Sequence, residues 1–420
     1  MIHYITTDGV GNATVANELR QLDRAGIPYR LHAMRRPGRL FHTSDWANEI
    51  SRQTHYLYPL PLLPVIWSAV LAPFIFGTRC FAAGWNALTG ERESLRGRLA
   101  GIAHFLVACH WARSLRRSEM THLHSQWAHS GATIGMYGAW LLGKPFSFTG
   151  HACDLFRDRV ALGDKIRRAE FIVCISEFHR EFFLAQGARP EQLFIAYCGI
   201  DTTHFVPERK TGRGGPFKIV SVSRLVEKKG YRYMLEACRL LLDRGVEIEC
   251  VIGGSGPLAA QLQTFVQELG LAEHVAITGK AVAQEDLPSF YHWGDVFCLP
   301  CVWAADQDVD GLPQTLMEAM ACEIPVVSTR LVGIPDLVLD GETGLLVEAE
   351  DAQQLAAALE KLQQDAVLRE RLGAAGRAHV LQRFNVRTCL DPLLDRYRDK
   401  LRGAGSATVA EEAMGVEAAR

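Results

Sequence analysis

The chain has almost no net charge: 45 Lys and Arg face 47 Asp and Glu, a formal −2 over 420 residues. Such a balance offers nothing for electrostatic capture of a nucleic acid. A secreted-scaffold cysteine spacing is also missing. Eleven cysteines are scattered through apolar runs, which predicts buried thiols in a reducing compartment rather than a disulfide framework. Cys298-Leu299-Pro300-Cys301 is the one formal CxxC, and it closes a strand with no helix evident behind it, so a redox role is not expected. His122, His124 and His129 surround Trp127 without Cys or carboxylate partners at ligand spacing, so no metal site is expected there. No signal peptide is expected, because residues 2–6 already read as a core strand; the predicted location is cytoplasmic.

A further absence is local. Residues 53–78 contain no Lys, Arg, Asp or Glu, a length close to the roughly 20 residues of a membrane span. Pro59, Pro61, Pro64 and Pro73 divide the stretch, and a span would have to satisfy the broken backbone bonds inside lipid. Three readings stay open: a span, an element lying in the membrane interface, and a buried or cleft-lining element.

What is present is a repeated alternation. With 420 residues, 48% of them hydrophobic, the chain can build two cores of ordinary size. Apolar runs at 2–6, 29–33, 121–124, 146–149, 171–175 and 194–197 alternate with helix-period segments such as 13–24. The alternation restarts at 218–222, 247–252, 275–278, 296–299 and 325–328 after a polar, glycine-rich stretch at 207–216. This is the pattern of parallel α/β domains, with the boundary in that stretch. From Asp351 the chain reads as helical. Up to Asp201, 22 basic against 16 acidic residues give +6, and the remaining 23 against 31 give −8. The basic first half suits an anionic or membrane-facing partner, or simply solvated arginine faces.

Asp8-Gly9-Val10-Gly11 follows the first strand, where Gly9 and Gly11 let backbone amides approach an anion or sugar. A dinucleotide fingerprint would need a third glycine where Thr14 stands and an acidic residue near the end of the second strand, where His32 stands. A nicotinamide-dependent enzyme is therefore disfavoured. Ser223-Arg224-Leu225-Val226-Glu227-Lys228-Lys229-Gly230 puts two cations five residues apart beyond a strand end, able to clamp a diphosphate through the planar fork of Arg224 and the point charge of Lys229. Lys228 is expected at the surface. Asp310-Gly311-Leu312-Pro313-Gln314-Thr315-Leu316-Met317-Glu318 follows a buried strand and opens a helix, whose free amides attract phosphate.

The last of these motifs resembles the E-x7-E region of glycosyltransferase family 4, with Asp310 where the family usually has its first glutamate and Glu323 where it usually has glycine. The octet 223–230 resembles the family's S-R-x-x-x-x-K-G motif. Gly253-Gly254-Ser255-Gly256-Pro257-Leu258 looks like its G-x-G-P-L turn, with Pro257 in a helix first turn, and Thr278-Gly279-Lys280 like its nucleobase-pocket segment. His151, in Phe148-Thr149-Gly150-His151, matches its cleft histidine, which contacts the transferred sugar.

The resemblance implies a GT-B fold, two Rossmann-like parallel-sheet domains facing a central cleft. Residues 1–205 would bind the acceptor and 206–385 the nucleotide-sugar; 386–403 would form a helix packing back toward the first domain, and 404–420 a flexible tail. It implies a retaining, metal-independent transferase of the bacterial exopolysaccharide or lipopolysaccharide type, with no cofactor beyond its sugar-nucleotide substrate. Catalytic roles fall to His151, Arg224, Lys229 and Asp310. Donor contacts fall to Gly9, Gly11, Gly254, Gly256, Gly279, Lys280, Gly311, Leu312, Pro313, Gln314, Thr315 and Glu318, with ribose on Glu318, and His124 is an acceptor-side candidate. The implied partners are the donor and a glycan or lipid-linked acceptor, with peripheral contact at the inner face of the cytoplasmic membrane. Two alternatives stay open: another GT-B enzyme, such as a nucleotide-sugar epimerase or a phosphorylase, and a non-catalytic sugar-nucleotide-binding subunit of a membrane assembly complex.

Overall fold

Strands buried on both faces need helices above and below them, and the chain meets that need twice. The computed structural model describes residues 1–38, 40, 44–157, 159–208 and 214–403. The expected linker at 207–216 is thus described only at its ends, and the expected tail at 404–420 lies outside the described residues. Two compact units emerge: Met1–Ile175 with His179–Ala196 and Leu390–Arg420, and Tyr197–Cys389 with Ser176–Phe178.

The first unit holds a seven-stranded sheet made of β1 (Ile2–Thr6), β2 (Tyr29–Ala33), β3 (His55–Tyr56), β4 (His122–Gln126), β5 (Phe146–Gly150), β6 (Phe171–Cys174) and β7 (Leu193–Ile195). Its order is β3-β2-β1-β4-β5-β6-β7, with parallel pairing throughout. The second holds β8 (Phe217–Val222), β9 (Ile248–Gly253), β10 (Val275–Ile277), β11 (Val296–Leu299), β12 (Val326–Thr329) and β13 (Leu345–Val347), in the order β10-β9-β8-β11-β12-β13 and again parallel. Each order reverses once, between β1 and β4 and between β8 and β11, and in such sheets ligands bind beyond the strand ends at the reversal.

Between β3 and β4 three helices, Leu62–Phe76, Thr78–Thr89 and Leu95–Leu115, pack on one another. The charge-free stretch 53–78 supplies β3 and the first of these helices. Pro64 falls in that helix's opening turns, where a missing N–H costs little, and Pro73 lies near its end. Among the described residues no helix is long and apolar enough to cross a membrane. The buried reading of this stretch holds for one face only, since Val65, Ser68 and Ala72 are buried while Leu62, Ile66, Val70 and Phe74 are exposed.

The helix Gln314–Ala321 ends in a Schellman motif: Glu323 N–H donates to the Met320 carbonyl at 2.9 Å and Ile324 N–H to the Ala319 carbonyl at 3.0 Å. That geometry places Glu323 in the left-handed region at φ 64°, which explains physically why glycine suits the position. Its side chain is exposed and gives nothing back through packing. Glu323→Gly is expected to raise unfolding stability by about 1 kcal/mol, read as a higher urea midpoint at constant m-value. An unchanged or lower midpoint would refute the strain.

Candidate functional site

In the second unit the loop after β8 carries Ser223 and Arg224 into a 3-10 turn at Glu227–Lys229, and the loop after β11 runs from Pro300 to Pro313. The loops are joined backbone to backbone. Val302 N–H donates to the Lys228 carbonyl at 3.0 Å, and a Cβ at Gly230 would lie 1.8 Å from the Pro300 carbonyl oxygen, so only glycine fits there. This close approach brings Lys229 onto Asp310, Nζ to Oδ2. Lys228 lies 3.1 Å from Oδ1 of both Asp308 and Asp310, and its side chain is 12% exposed. Lys228 is therefore part of the charged cluster and not the solvated surface residue expected from sequence. Burial alone would raise the Asp310 carboxyl, but the Lys229 and Lys228 ammonium groups outweigh it and hold the group at about 2. Burial lowers Lys229 and Asp310 raises it, with a net upward shift, so both groups stay charged. Arg224 is exposed at the same loop.

Beyond Asp310 the chain passes Gly311, Leu312 and Pro313, the last being the extended N-cap of the helix Gln314–Ala321. The first amides of a helix have no partner within it and carry its positive dipole end. Two side-chain groups in that first turn, Gln314 Nε2 and Thr315 Oγ1, are buried without a hydrogen-bond partner. Leaving such groups unmet costs about 1–3 kcal/mol each, a cost that a bound polar ligand removes. One turn further on, Glu318 is buried and its Oε2 accepts from the Tyr291 hydroxyl at 2.6 Å. Burial pushes the Glu318 carboxyl up to about 7, the tyrosine bond opposing the shift. Nothing in the sequence joins Tyr291 to Glu318 across 27 positions, and the pairing appears only when the helix Leu287–Trp293 packs against the helix Gln314–Ala321.

The loops after β9 and β10 complete the rim. An added Cβ at Gly254 would lie 1.8 Å from the Ser223 carbonyl oxygen and one at Gly256 2.4 Å from that of Leu225, so both glycines serve a close backbone contact with the arginine loop. Gly254 N–H donates to Thr278 Oγ1 at 3.2 Å and to the Lys280 carbonyl at 3.0 Å, tying in the segment around Gly279. The helix that follows begins at Ala259, so Pro257 sits in the preceding turn and not in the first helical turn as expected.

In the first unit Gly9 and Gly11 form a 3-10 turn after β1, and Gly9, at φ 56°, donates its N–H to Thr6 Oγ1 at 2.9 Å. His151 follows β5. Its N–H donates to Asp154 Oδ1 at 2.9 Å, its ring lies 5.0 Å from that of Trp127, and its Nε2 is out of solvent without a partner. Burial lowers the imidazole to about 4, so it is neutral near pH 7. Asp154 also accepts the Ala128 N–H, and the buried Lys165 Nζ donates to the Ala128 carbonyl at 2.7 Å, so the loops after β4 and β5 are tied together at Ala128. Sequence periodicity gave no sign of Asp154 or Lys165 as anchors.

His124 contradicts its expected acceptor-side role. It is fully buried, with Nδ1 2.8 Å from Ser147 Oγ and Nε2 3.1 Å from Thr149 Oγ1, a packed sheet residue. His122 likewise bonds Ser147 Oγ at 2.6 Å. Cys298 and Cys301 are buried and their thiols pushed upward by burial, an inert pair.

The fold is GT-B, two Rossmann-like parallel-sheet domains: over 95% of this chain and 99% of the other, the structure superposes on Anabaena Alr3699/HepE, solved in complex with UDP, at a TM-score of 0.70 and 16% identity. Residues 206–379, within the second unit, match the family model described as glycosyl transferases group 1. Curated relatives include the putative colanic acid biosynthesis glycosyltransferase WcaL of Salmonella typhimurium, 37% identical over 52% of this chain and 54% of the relative. The amylovoran biosynthesis glycosyltransferase AmsK of Erwinia amylovora is 37% identical over 51% and 53%. The chain thus spans about half the length of the curated relatives it matches.

Proposed function

We propose that the protein is a retaining glycosyltransferase that moves a hexosyl group from a nucleotide-sugar to a glycan or lipid-linked acceptor in bacterial exopolysaccharide or lipopolysaccharide biosynthesis, at the inner face of the cytoplasmic membrane. The observation that carries this reading is the first turn of the helix Gln314–Ala321, where two buried polar side-chain groups lack partners beside a buried lysine–aspartate cluster and an exposed arginine. The names of the curated relatives support the biosynthetic setting. Arg224, Lys229 and the amides of residues 311–315 receive the diphosphate, where charge develops as the glycosidic bond to the nucleotide breaks, so fixed cations and dipoles lower the barrier there. Glu318, oriented by Tyr291, accepts from the ribose hydroxyls, and Asp310 from a hydroxyl of the sugar. Neutral His151 offers an imidazole nitrogen to the transferred sugar. The residues supply the diphosphate's counter-charge themselves, and no metal is required.

Release of nucleoside diphosphate from a nucleotide-sugar, measured with and without acceptor glycans, tests this reading. Release dependent on acceptor and insensitive to EDTA is expected; an acceptor-independent change in the sugar overturns it in favour of epimerisation, and EDTA inhibition reversed by Mg2+ overturns the metal-free part. Calorimetry separates the two carboxylates. Glu318→Ala is expected to weaken nucleoside diphosphate binding about tenfold or more, and Asp310→Ala to lower kcat with a smaller effect on that affinity. Equal affinity losses would refute the division between ribose and sugar.

A further inference from the structure

The helix Leu62–Phe76 is built inside out. Its one polar side chain, Ser68, is 1% exposed, with Oγ 3.1 Å from His110 Nδ1 and accepting from Arg113 at 3.3 Å. Its outward positions are Leu62, Ile66, Val70 and Phe74, one continuous stripe at helical spacing, with Phe74 86% exposed. The next helix turns Phe81 and Trp85 outward, and Leu95–Leu115 adds Leu95 and Leu99. Among the described residues there are 17 exposed large apolar side chains, and 13 of them fall within residues 58–106. Scattered apolar residues need no explanation, but a continuous patch of this kind marks an interaction surface.

The charges around the patch identify its occupant. Residues 53–117 contain seven arginines and two glutamates, and since Arg92 is buried against Asp164 at 2.6 Å, six arginines remain for the surface. Both glutamates are already engaged: Glu91 pairs with Arg167 at 3.2 Å, and Glu93 accepts the N–H groups of Ala161 and Leu162 at 2.9 Å. Arg79 and Arg96 are exposed on the helices that carry the patch. A second copy of this face would set arginine against arginine with no free acid to pair, whereas anionic headgroups supply the missing charge. Trp67 and Trp85, both exposed, are the side chains that favour the boundary between headgroups and acyl chains. Fifteen residues rise about 22 Å, too short for the hydrocarbon core.

We propose that these three helices form a docking surface for an anionic phospholipid bilayer, with the apolar stripe of Leu62–Phe76 lying in the membrane interface. This deepens the membrane placement proposed above, yet its test uses neither donor nor acceptor, so a failed transfer assay leaves it standing. The full chain is sedimented with vesicles of phosphatidylcholine alone and of phosphatidylcholine mixed with phosphatidylglycerol. Binding to the mixed vesicles is expected at low salt, weaker by about tenfold on phosphatidylcholine alone, and lost by more than about tenfold in L63E/F74E. Both substituted side chains are largely exposed, so the thermal midpoint should not move. Arg96→Glu should weaken binding to the mixed vesicles alone. Equal binding of the wild type and L63E/F74E overturns the surface, as does a soluble wild-type dimer that L63E/F74E dissociates without any vesicle binding. Equal binding to both vesicle types overturns its anionic selectivity.

Discussion

Lys229→Ala is expected to cost both stability and turnover, whereas Arg224→Ala costs turnover alone. Lys229 is buried against Asp310, and removing one partner of a buried ion pair leaves a charge without its counter-charge, a loss of about 3–5 kcal/mol. Lys228 remains 3.1 Å from the same carboxylate, so the lower end of that range applies. Arg224 is exposed, and its truncation leaves the fold intact. In the proposed transfer both cations would act on the leaving diphosphate, and losing either charge-assisted contact should lower kcat/KM by about 1.5–3 kcal/mol, roughly ten- to hundredfold. Chemical unfolding and donor kinetics on the two variants check this. Two variants equally destabilised would place Arg224 in the structural cluster, and unchanged kcat/KM in both would remove the phosphate clamp from the second unit.

Acidification should destabilise the protein steeply between pH 6.5 and 4.5. Burial lowers His3, His104 and His151 to about 4 and His124 and His179 to about 3, and moves His32 well below its ordinary value. In this window the unfolded chain takes up six protons that the folded chain refuses, so stability falls as pH falls. Glu18, Asp154 and Glu318, which burial raises to about 7, act with the opposite sign: the folded state keeps three protons that the unfolded state has released. Among these groups six against three leaves a net three protons, about 4 kcal/mol per pH unit, and His55, His122 and His379, also lowered by burial, act in the same direction. Below this window the loss continues as Asp310, held at about 2, is titrated out of its lysine pair. Urea unfolding at pH 7, 6 and 5 measures the slope. A midpoint that stays level or rises toward pH 5 would mean that the histidines are charged in the fold.

The two sheets were legible in sequence because parallel strands buried on both faces read as plain apolar runs, and those at 2–6, 29–33 and 296–299 match β1, β2 and β11 residue for residue. β3 and β13 were not legible: one is two residues beginning with a histidine, the other three residues inside a turn-rich stretch, both at sheet edges and too short to show a period. The motif loops around Arg224, Lys229 and Asp310 were recognisable from residue type and spacing. Their coupling was not, because Lys228 meets Asp310 across 82 positions and Tyr291 meets Glu318 across 27, distances over which sequence pattern carries no information. His124 misled for a related reason. A histidine two residues into a central strand looks available for chemistry until the hydroxyls of the neighbouring strand are seen to occupy both its nitrogens.

The path of the chain has a consequence for biosynthesis on the ribosome. Residues 391–403 are helical and belong to the first unit, where Tyr397 is fully buried, its hydroxyl 2.7 Å from that of Tyr4, whose own hydroxyl donates to Glu18. Tyr4 is synthesised before the second unit and Tyr397 after it. The intervening unit, residues 197–389, takes about 10–40 s to translate at ordinary elongation rates. During that interval the nascent first unit has a strand with an open socket where Tyr397 belongs, while the second unit emerges whole and can close before it. The order of completion is therefore the reverse of the order of synthesis, and the exposed core of the first unit is what a chaperone would meet.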